Sequence, residues 1–351
     1  VEDAFSHIAH INIEAETLLS DNKTTCYRNK AQYPVSFDRQ LKIGFFAPRS
    51  HRVVDCENCI LQPPIFADIV KIFRKFIIKN GITVYDSEKH TGLLRHIYLR
   101  LAEATGEVMV CAVINGEDLP HKDELIEKLT EIPSVKSIVL NINRDRTNVI
   151  LGKECVTVWG NDCIYDVLCG VKVRLSPLSF YQVNHDMAQQ LYEKAAEYAC
   201  LSGKETVLDM YCGTGTIGLS MAKKAKRIIG AEIVPEAVLD AKRNALENGI
   251  ENAEFICADA GEAAQELSSR GIKPDVVLLD PPRKGCSEML LAEIVKMSPE
   301  RIVYVSCDPS TLARDCFRLK DLGYETKRLA AADLFPRTVH VESVALLTKQ
   351  K

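Results

Sequence analysis

The sequence predicts an α/β fold, in which helices and a largely parallel sheet of seven strands follow a smaller mixed α/β domain. From Glu205 onward, short β-branched runs alternate with amphipathic stretches, the pattern of strand and helix units wound around a parallel sheet. Residues 25–175 instead contain pairs of strand-like runs that flank polar turns, which is typical of hairpins. With 351 residues, of which 46% are hydrophobic, the chain is long enough for two domains.

The seven strands of the predicted sheet are short and rich in β-branched residues. They are expected at Thr206–Met210, Arg227–Ile233, Ala253–Cys257, Asp275–Asp280, Arg301–Ser306, Tyr324–Ala331 and Val341–Thr348. Helices are expected at Asp186–Ala199, Thr216–Ala225, Pro235–Asn248, Gly261–Arg270, Ser287–Met297 and Pro309–Leu322. Pro235 and Pro309 suit the first turn of a helix, whereas Gly249 and Gly323 suit helix ends.

Two hairpins and two helices make up the predicted smaller domain. The hairpin strands are Lys30–Phe37 with Leu41–Phe46 and His96–Ala102 with Val108–Asn115, and the helices are Pro63–Lys79 and His121–Thr130. No long Gly/Ser linker separates this domain from the second half of the chain. We place the domain boundary near Ser176-Pro177. The predicted organisation is an N-terminal helical segment (1–24), a central α/β domain (25–175) and a C-terminal sheet domain (176–351).

Composition excludes several classes of protein. No stretch is as long and apolar as a membrane span, and the mixed polarity of the first twenty residues is unlike a signal peptide. We therefore expect a cytoplasmic protein with no membrane partner. Thirteen scattered cysteines, an odd number, argue against a disulfide framework. The net charge of -4 argues against a strongly cationic nucleic-acid binder, although it allows local basic patches.

A Gly-rich turn after the first strand of the sheet predicts a cofactor site. Val207–Thr216 runs from an apolar strand through Gly213 into a helix, and a dinucleotide-binding enzyme is a rival interpretation of such a turn. Glu232 lies 19 residues after Gly213 (232 − 213 = 19), where a carboxylate can bind ribose hydroxyls, and Asp259 can accept from an adenine amino group. The turn lacks the third fingerprint glycine and a phosphate-loop lysine, which favours an adenosyl sulfonium cofactor over a nicotinamide one. Each acid alone could equally be a solvated residue at a strand end.

Chemically useful side chains are predicted at one edge of the sheet. Glu232, Asp259, Asp280 and Cys307 all lie at or just beyond strand ends, where ligands bind in open α/β sheets. Asp280 precedes two prolines, whose rigid turn would fix its carboxylate, but this pattern also occurs in amino-methyltransferases.

Cys307 separates carbon from nitrogen methylation, because carbon 5 of uracil becomes nucleophilic only after a thiolate adds to carbon 6. Its position before a helix that starts at Pro309 is expected to favour the thiolate. A buried structural cysteine is the alternative interpretation.

Covalent addition also requires a base that removes the proton from carbon 5. Glu342, which lies 35 residues after Cys307 (342 − 307 = 35), is the predicted base, and His340 is a competing candidate. The alternative interpretation is that Glu342 is an acid on the surface of a strand without a catalytic role. The segment Ser179–Asn184 offers an aromatic that can stack on a base and an amide that can bind a ligand edge. Basic residues such as Arg314 are candidates for phosphate contacts.

Five ordered motifs, FYQVN, LDMYCGTGTIGL, LLDPPRKG, YVSCDPSTLARD and FPRTVHVES, resemble the RNA uracil-5-methyltransferase family, which acts on ribosomal RNA and on the tRNA T-loop. The resemblance implies a Rossmann-like class I methyltransferase domain that binds S-adenosyl-L-methionine and extrudes its target base from folded RNA. It implies Cys307 as nucleophile, Glu342 as base and Phe180 beside the target base. It places these residues at the cofactor and target site: Gln182, Tyr211, Gly213, Glu232, Asp259 and Asp280.

We expect ribosomal RNA, in particular 23S rRNA, as the substrate, with the tRNA T-loop as the alternative, and we expect a monomer. Two functions of other classes remain open. Nitrogen methylation of RNA or protein would leave Cys307 dispensable, and an RNA chaperone that binds the cofactor would leave Glu342 dispensable as well.

Many family members begin with a small RNA-binding barrel and a Cys-rich stretch that supplies three ligands of an iron–sulfur cluster. This chain begins at Val1, after that point, and the missing barrel is expected to weaken RNA binding. Cys59 is similar to the fourth cluster ligand, with Cys56 nearby, but no second CxxC pair exists and four thiolates are normally needed. We therefore expect no metal or cluster in this chain. The resemblance also implies that Val1–Leu19 packs with the catalytic domain.

Overall fold

Helices and strands alternate along residues 1–350, the part of the chain that this computed structural model describes. The helices are α1 (Glu2–Ala4), α2 (Pro64–Asn80), α3 (Lys122–Thr130), α4 (His185–Ala199), α5 (Thr216–Met221), α6 (Pro235–Glu247), α7 (Ala260–Ser269), α8 (Glu288–Met297) and α9 (Pro309–Asp321). A π-helical turn (Phe5–Ala9) continues α1, and a 3-10 turn (Ala222–Lys224) continues α5.

The strands belong to two large sheets and one hairpin. They are β1 (Leu18–Leu19), β2 (Lys30–Asp38), β3 (Gln40–Phe46), β4 (Val53–Asp55), β5 (Leu94–Leu101), β6 (Val108–Ile114), β7 (Val135–Ile142), β8 (Glu154–Gly160), β9 (Ile164–Leu168), β10 (Val171–Leu175), β11 (Thr206–Asp209), β12 (Arg227–Glu232), β13 (Ala253–Cys257), β14 (Val276–Leu279), β15 (Arg301–Ser306), β16 (Tyr324–Ala332) and β17 (Glu342–Lys349).

The chain divides into two compact units. The large unit comprises Val1–Lys23, Leu168–Val173 and the residues from Asp186 onward, and the central unit comprises Thr24–Val167 and Arg174–His185. The chain therefore passes between units at more points than the single boundary that we placed near Ser176-Pro177.

Hydrogen bonds within the central unit explain why residues 174–185 belong to it. The buried Arg100 guanidinium donates to the carbonyl oxygens of Ser176 (3.0 Å) and Ser179 (2.7 Å). The Asn29 side chain donates to the carbonyl oxygen of Gln182 at 3.0 Å.

The sheet of the large unit has the strand order β1-β16-β17-β15-β14-β11-β12-β13. Its neighbouring strands are parallel except where β17 pairs antiparallel with β15 and β16. Each of the seven strands predicted from β-branched runs is present with ends within one residue of those expected, which confirms the predicted fold. An eighth strand, β1, was not anticipated because its two residues carry no periodic pattern.

The order of β14 and β11 creates a switch point in this sheet. From β11 the chain winds to β12 and β13 on one side, and it then returns to β14 and β15 on the other. Loops that leave the carboxyl ends of β11 and β14 therefore run in opposite directions and open a crevice, the usual ligand site of an open α/β sheet.

The N-terminal segment packs into the core of the large unit. Phe5 and Ala9 are fully buried in the same apolar cluster as Leu312 and Cys316 of α9. Further along, Glu16 accepts two hydrogen bonds from the Arg328 guanidinium, each of 2.8 Å. The segment thus forms part of one face of this unit.

The sheet of the central unit has the order β4-β3-β2-β5-β6-β7-β8, antiparallel except between β6 and β7. Helices α2 and α3 cover one face, where Phe66 and Phe73 pack against Ile43 and Ile97. The two predicted hairpins and both predicted helices are confirmed, whereas β7 and β8 were not anticipated. Among residues 1–350, none of the helices combines the length and the apolar character needed to span a bilayer.

Candidate active site

The Gly-rich turn between β11 and α5 leaves room for a ligand. Gly213 and Gly215 adopt positive φ angles of 53° and 84°, which favour glycine. A Cβ atom added to Gly215 would lie 3.1–3.2 Å from neighbouring side chains, but one added to Gly213 would meet nothing within 4 Å. The backbone at Gly213 is therefore open to a close-approaching ligand.

Glu232, at the carboxyl end of β12, closes one side of this turn. Its Oε2 atom accepts from the Gly213 N–H at 3.1 Å, and its Oε1 atom accepts from the Val234 N–H at 2.9 Å. A carboxylate offers about four acceptor positions, so two remain for hydroxyl donors. These two backbone hydrogen bonds fix the orientation of the carboxylate.

Asp259 follows β13 and forms the N-cap of α7. Its Oδ1 atom accepts from the Gly261 N–H at 2.8 Å. Its Oδ2 atom has no hydrogen-bond partner within residues 1–350, and it can accept from an adenine amino group.

Asp209, the last residue of β11, is a residue of this region that the sequence analysis missed. It is buried, its Oδ2 atom accepts from the Gly218 N–H at 3.2 Å, and its Oδ1 atom has no partner among the described residues. Burial, with a smaller contribution from the charge of Glu232, raises the pKa of Asp209 to about 7. An acid that ends a strand just before a Gly-rich turn was the available signal.

Tyr211 lies two residues beyond β11 and is half-buried. Burial and the neighbouring Cys286 thiol raise the pKa of its hydroxyl. Tyr211 therefore stays a neutral hydroxyl that can donate a hydrogen bond.

Pairing of β15 with β17 places Cys307 opposite Glu342. The last pair of the ladder joins Ser306 to Ser343, and the next residues along the two antiparallel strands are Cys307 and Glu342. Cys307 is half-buried and Glu342 is 6% exposed. Asp280 follows the adjacent strand β14, in which Leu279 pairs with Tyr304. These three side chains meet at the chemical edge, our name for the edge formed by the ends of β14, β15 and β17.

Burial raises the pKa of both carboxyl groups at the chemical edge. It raises the pKa of Glu342 to about 7 against the opposing charge of Arg283. It raises the pKa of Asp280 to about 8, with further contributions from Glu342 and Asp209. Both carboxyl groups therefore hold or exchange a proton near neutral pH.

The Cys307 thiol is less acidic than an unperturbed cysteine. Burial raises its pKa, as do the charges of Glu342 and Asp280, whereas Arg283 lowers it. The expectation that the start of α9 favours the thiolate is wrong. Burial and the carboxyl groups of Glu342 and Asp280 outweigh any effect of the helix start. The N–H groups of Ser310 and Thr311 in the first turn are bonded to the N-cap residue Asp308, at 2.9 Å and 3.0 Å.

His340 is a weaker candidate base than Glu342. It is exposed, and its ring packs edge-on against Phe335 with a centroid distance of 6.1 Å. Glu342, in contrast, is buried and lies directly across the ladder from Cys307.

Phe180 and Gln182 lie in the central unit, whereas the other predicted site residues lie in the large unit. Phe180 is 65% exposed, and its ring is open to a stacking partner. The position of Gln182 is fixed through its backbone, which accepts from Asn29.

Cys56 and Cys59 lie close together in the central unit, where burial and the neighbouring Cys59 raise the pKa of Cys56. Residues 1–350 contain no group of three or more side chains that could hold a metal ion. The absence of a cluster stays a prediction.

Comparison with known proteins gives consistent likenesses. The sequence model of the family described as tRNA (uracil-5-)-methyltransferase matches residues 169–350. An uncharacterised RNA methyltransferase of Clostridium tetani is 47% identical over 99% of this chain and 76% of its own length. One from Halalkalibacterium halodurans is 46% identical with the same coverage. The crystal structure of Pyrococcus abyssi tRNA (uracil-54, C5)-methyltransferase in complex with S-adenosyl-L-homocysteine is 29% identical, with a TM-score of 0.81 over 99% of this chain and 81% of that one.

Proposed function

Since this chain belongs to the tRNA (uracil-5-)-methyltransferase family, whose members are S-adenosylmethionine-dependent RNA methyltransferases, we propose that it methylates carbon 5 of a uridine in folded RNA through a Cys307 adduct. The observation that carries this proposal is the β15–β17 register, which sets a thiol opposite a buried carboxyl group. A nitrogen methyltransferase would have no use for that pair.

The residues of the large unit fit an adenosyl cofactor. The open backbone at Gly213, the two remaining acceptor positions of Glu232 and the unpaired Asp259 oxygen match the ribose and adenine donors. When bound, the cofactor supplies an electrophilic methyl group. We assign Gly213, Glu232, Asp259, Tyr211 and, from the family resemblance, Gln182 to this site.

The Cys307 thiolate adds to carbon 6 of the uracil, and the electron pair of the 5,6 double bond becomes an enolate. Carbon 5 then accepts the methyl group. The Glu342 carboxylate removes the proton from carbon 5, the 5,6 double bond forms again and the thiolate leaves. Phe180 is assigned to stack beside the extruded base, because it is an exposed ring in the motif that resembles the family.

The raised pKa values of Glu342 and Asp280 suit these roles. A base with a pKa of about 7 is partly ionised at neutral pH and still has a high proton affinity. Asp280, with a pKa of about 8, carries a proton at neutral pH and can donate it in a hydrogen bond to an acceptor edge of the base.

Two folded RNAs are candidate substrates. Ribosomal RNA, in particular 23S rRNA, is our preferred substrate from the family resemblance. The tRNA T-loop is the second candidate, because the Pyrococcus enzyme is described as acting on uracil-54 of tRNA. That enzyme is 29% identical to this chain, however, whereas the Clostridium relative, described only as an RNA methyltransferase, is 47% identical. Methylation of isolated 23S rRNA and of unmodified tRNA in parallel, with the product nucleoside mapped, distinguishes the two.

The mechanism is tested with RNA that contains 5-fluorouridine, because fluorine at carbon 5 cannot be removed as a proton and the adduct accumulates. We expect a covalent protein–RNA complex with the wild-type protein and with Cys200→Ser, a control that removes an exposed thiol. We expect none with Cys307→Ala. A complex that persists in Cys307→Ala would disprove the nucleophile assignment.

A further inference from the structure

Asp315 is a fully buried acid of α9 that the proposed chemistry does not use. Its Oδ2 atom accepts from the Cys286 N–H at 2.8 Å and from the Tyr304 hydroxyl at 2.7 Å. Its Oδ1 atom accepts from Arg314 Nε at 2.9 Å and from Arg318 Nη1 at 3.2 Å. One carboxylate thus joins β15, α9 and Cys286, which lies two residues before α8.

Asp315 and Arg314 together hold the loop of residues 281–286, which connects β14 to α8. Asp315 holds the C-terminal end of this loop, because its carboxylate accepts a hydrogen bond from the Cys286 N–H. Arg314, oriented by its ion pair with Asp315, donates from Nη2 to the carbonyl oxygen of Lys284 at 2.8 Å. Arg314, a candidate phosphate contact in the sequence, is therefore engaged within the fold.

The loop backbone lies directly against this ion pair. A Cβ atom added to Gly285, which has a φ of 75°, would lie 2.5 Å from both Arg314 Nη2 and Asp315 Oδ2. Gly285 therefore packs directly on the ion pair, where a residue with a side chain would not fit.

The held loop carries Arg283, whose charge acts on the chemical edge. Arg283 is exposed and lowers the pKa of both Cys307 and Glu342. Burial and the carboxyl groups of Glu342 and Asp280 raise the pKa of Cys307, whereas a hydrogen bond from its own backbone lowers it. Arg283 is thus the cation that opposes them.

We propose that Asp315 is a positioning residue that, with Arg314, holds the loop of residues 281–286, and with it Arg283, at the end of β14, where the loop follows Asp280 of the chemical edge. The inference rests on the proposed roles of Cys307 and Glu342. Asp315 touches no reacting atom and acts through the loop.

The test measures the rate at which iodoacetamide alkylates Cys307 between pH 6 and pH 10, followed by mass spectrometry of the Cys307 peptide. In Asp315→Asn we expect the apparent pKa of Cys307 to rise by about 0.5 to 1 unit, so that alkylation below the midpoint slows about three- to tenfold. Arg283→Gln should raise the apparent pKa of Cys307 by a similar amount. Combining it with Asp315→Asn should cause no further shift, because both substitutions remove the same effect of the Arg283 charge.

Arg314 and Arg318 provide a matched pair of variants. Both pair with Asp315 Oδ1, but only Arg314 also bonds the loop backbone, whereas Arg318 continues to Glu288 of α8. Arg314→Gln should move the alkylation profile in the same direction as Asp315→Asn. Arg318→Gln should leave the profile unchanged while it lowers the melting temperature.

An unchanged alkylation profile in a folded Asp315→Asn protein would overturn the proposal and leave Asp315 a structural brace only. If Asp315→Asn does not fold, an unchanged profile in Arg314→Gln overturns it equally. Since alkylation needs no RNA, failure of the proposed methylation would appear separately, in the 5-fluorouridine experiment.

Discussion

The two halves of the sheet edge in the large unit use their carboxyl groups in opposite ways. At the ends of β12 and β13, Glu232 and Asp259 accept backbone N–H groups, which fix an acceptor for a ligand. At the chemical edge, no hydrogen bond to Asp280 or Glu342 side chains is formed within residues 1–350, and burial raises the pKa of both. In the function that we propose, the first half binds the cofactor and the second exchanges protons, and the same fold supplies both.

Replacement of Cys307 should separate the two halves most completely. We expect Cys307→Ala to lower methyl transfer by about 10³-fold or more, because no other group can activate carbon 5. Binding of S-adenosyl-L-homocysteine, measured by calorimetry, should stay within about twofold of the wild type, since a mutation of this half leaves the other intact. A large loss of cofactor binding would show that the two halves are coupled.

Replacement of Glu342 should have the next largest effect. We expect Glu342→Gln to lower turnover by about 10²- to 10⁴-fold and to trap the methylated adduct on ordinary RNA, because addition still occurs but the carbon 5 proton stays. In the wild type, turnover should rise with pH as Glu342, with its pKa of about 7, ionises. The adduct is measured by its gel shift under denaturing conditions. Normal release of methylated RNA by Glu342→Gln would exclude Glu342 as the base.

Replacement of Glu232 tests the binding half. Glu232→Gln should weaken cofactor binding by about 10- to 100-fold, because the amide keeps the shape but loses one acceptor for the ribose hydroxyls. Turnover at saturating cofactor should change little. A fall in turnover without a change in cofactor affinity would show that Glu232 acts in the methylation reaction, which would contradict the division into a binding half and a chemical edge.

The smallest expected effect is on stability. For Asp280 the folded pKa, about 8, exceeds the unfolded value, so the folded state holds a proton that the unfolded state has lost. Stability from this group is fully present below about pH 4 and declines as the pH rises to about 8. Asp280→Asn should therefore raise the melting temperature by a few degrees at pH 8 relative to the wild type, with little gain at pH 5. An equal gain at both pH values would exclude this linkage.

Local patterns were sufficient to predict the elements that carry the site. The β-branched run Arg301–Ser306 and the proline at 309 predicted a strand, a turn with Cys307 and a helix, and these are present. The same reasoning misjudged the acidity of the Cys307 thiol, because it considered only the start of the helix. Burial and the carboxyl groups of Glu342 and Asp280 raise the pKa of Cys307, and these carboxyl groups lie at the ends of other strands of the folded sheet.

Pairing across long separations could not be predicted. The register that joins Ser306 to Ser343 depends on how two strands meet in the folded sheet. Asp315 was within a quoted motif, yet its partners Cys286 and Tyr304 lie on other elements. The strand β7 was missed because its apolar residues do not alternate with polar ones and Lys136, Ser137 and Asn141 interrupt them.

The burial of the N-terminal segment has a consequence for biosynthesis. Phe5 shares an apolar cluster with residues of α9, and β1 pairs with Ala331 and Ala332 of β16, so this segment must wait for partners that are synthesised much later. Until then Phe5 and its apolar neighbours have no native surface to cover them. Contacts that span more than three hundred residues also make closure of this core slow. The large unit therefore completes its core only after β16 has left the ribosome, when the central unit is already synthesised.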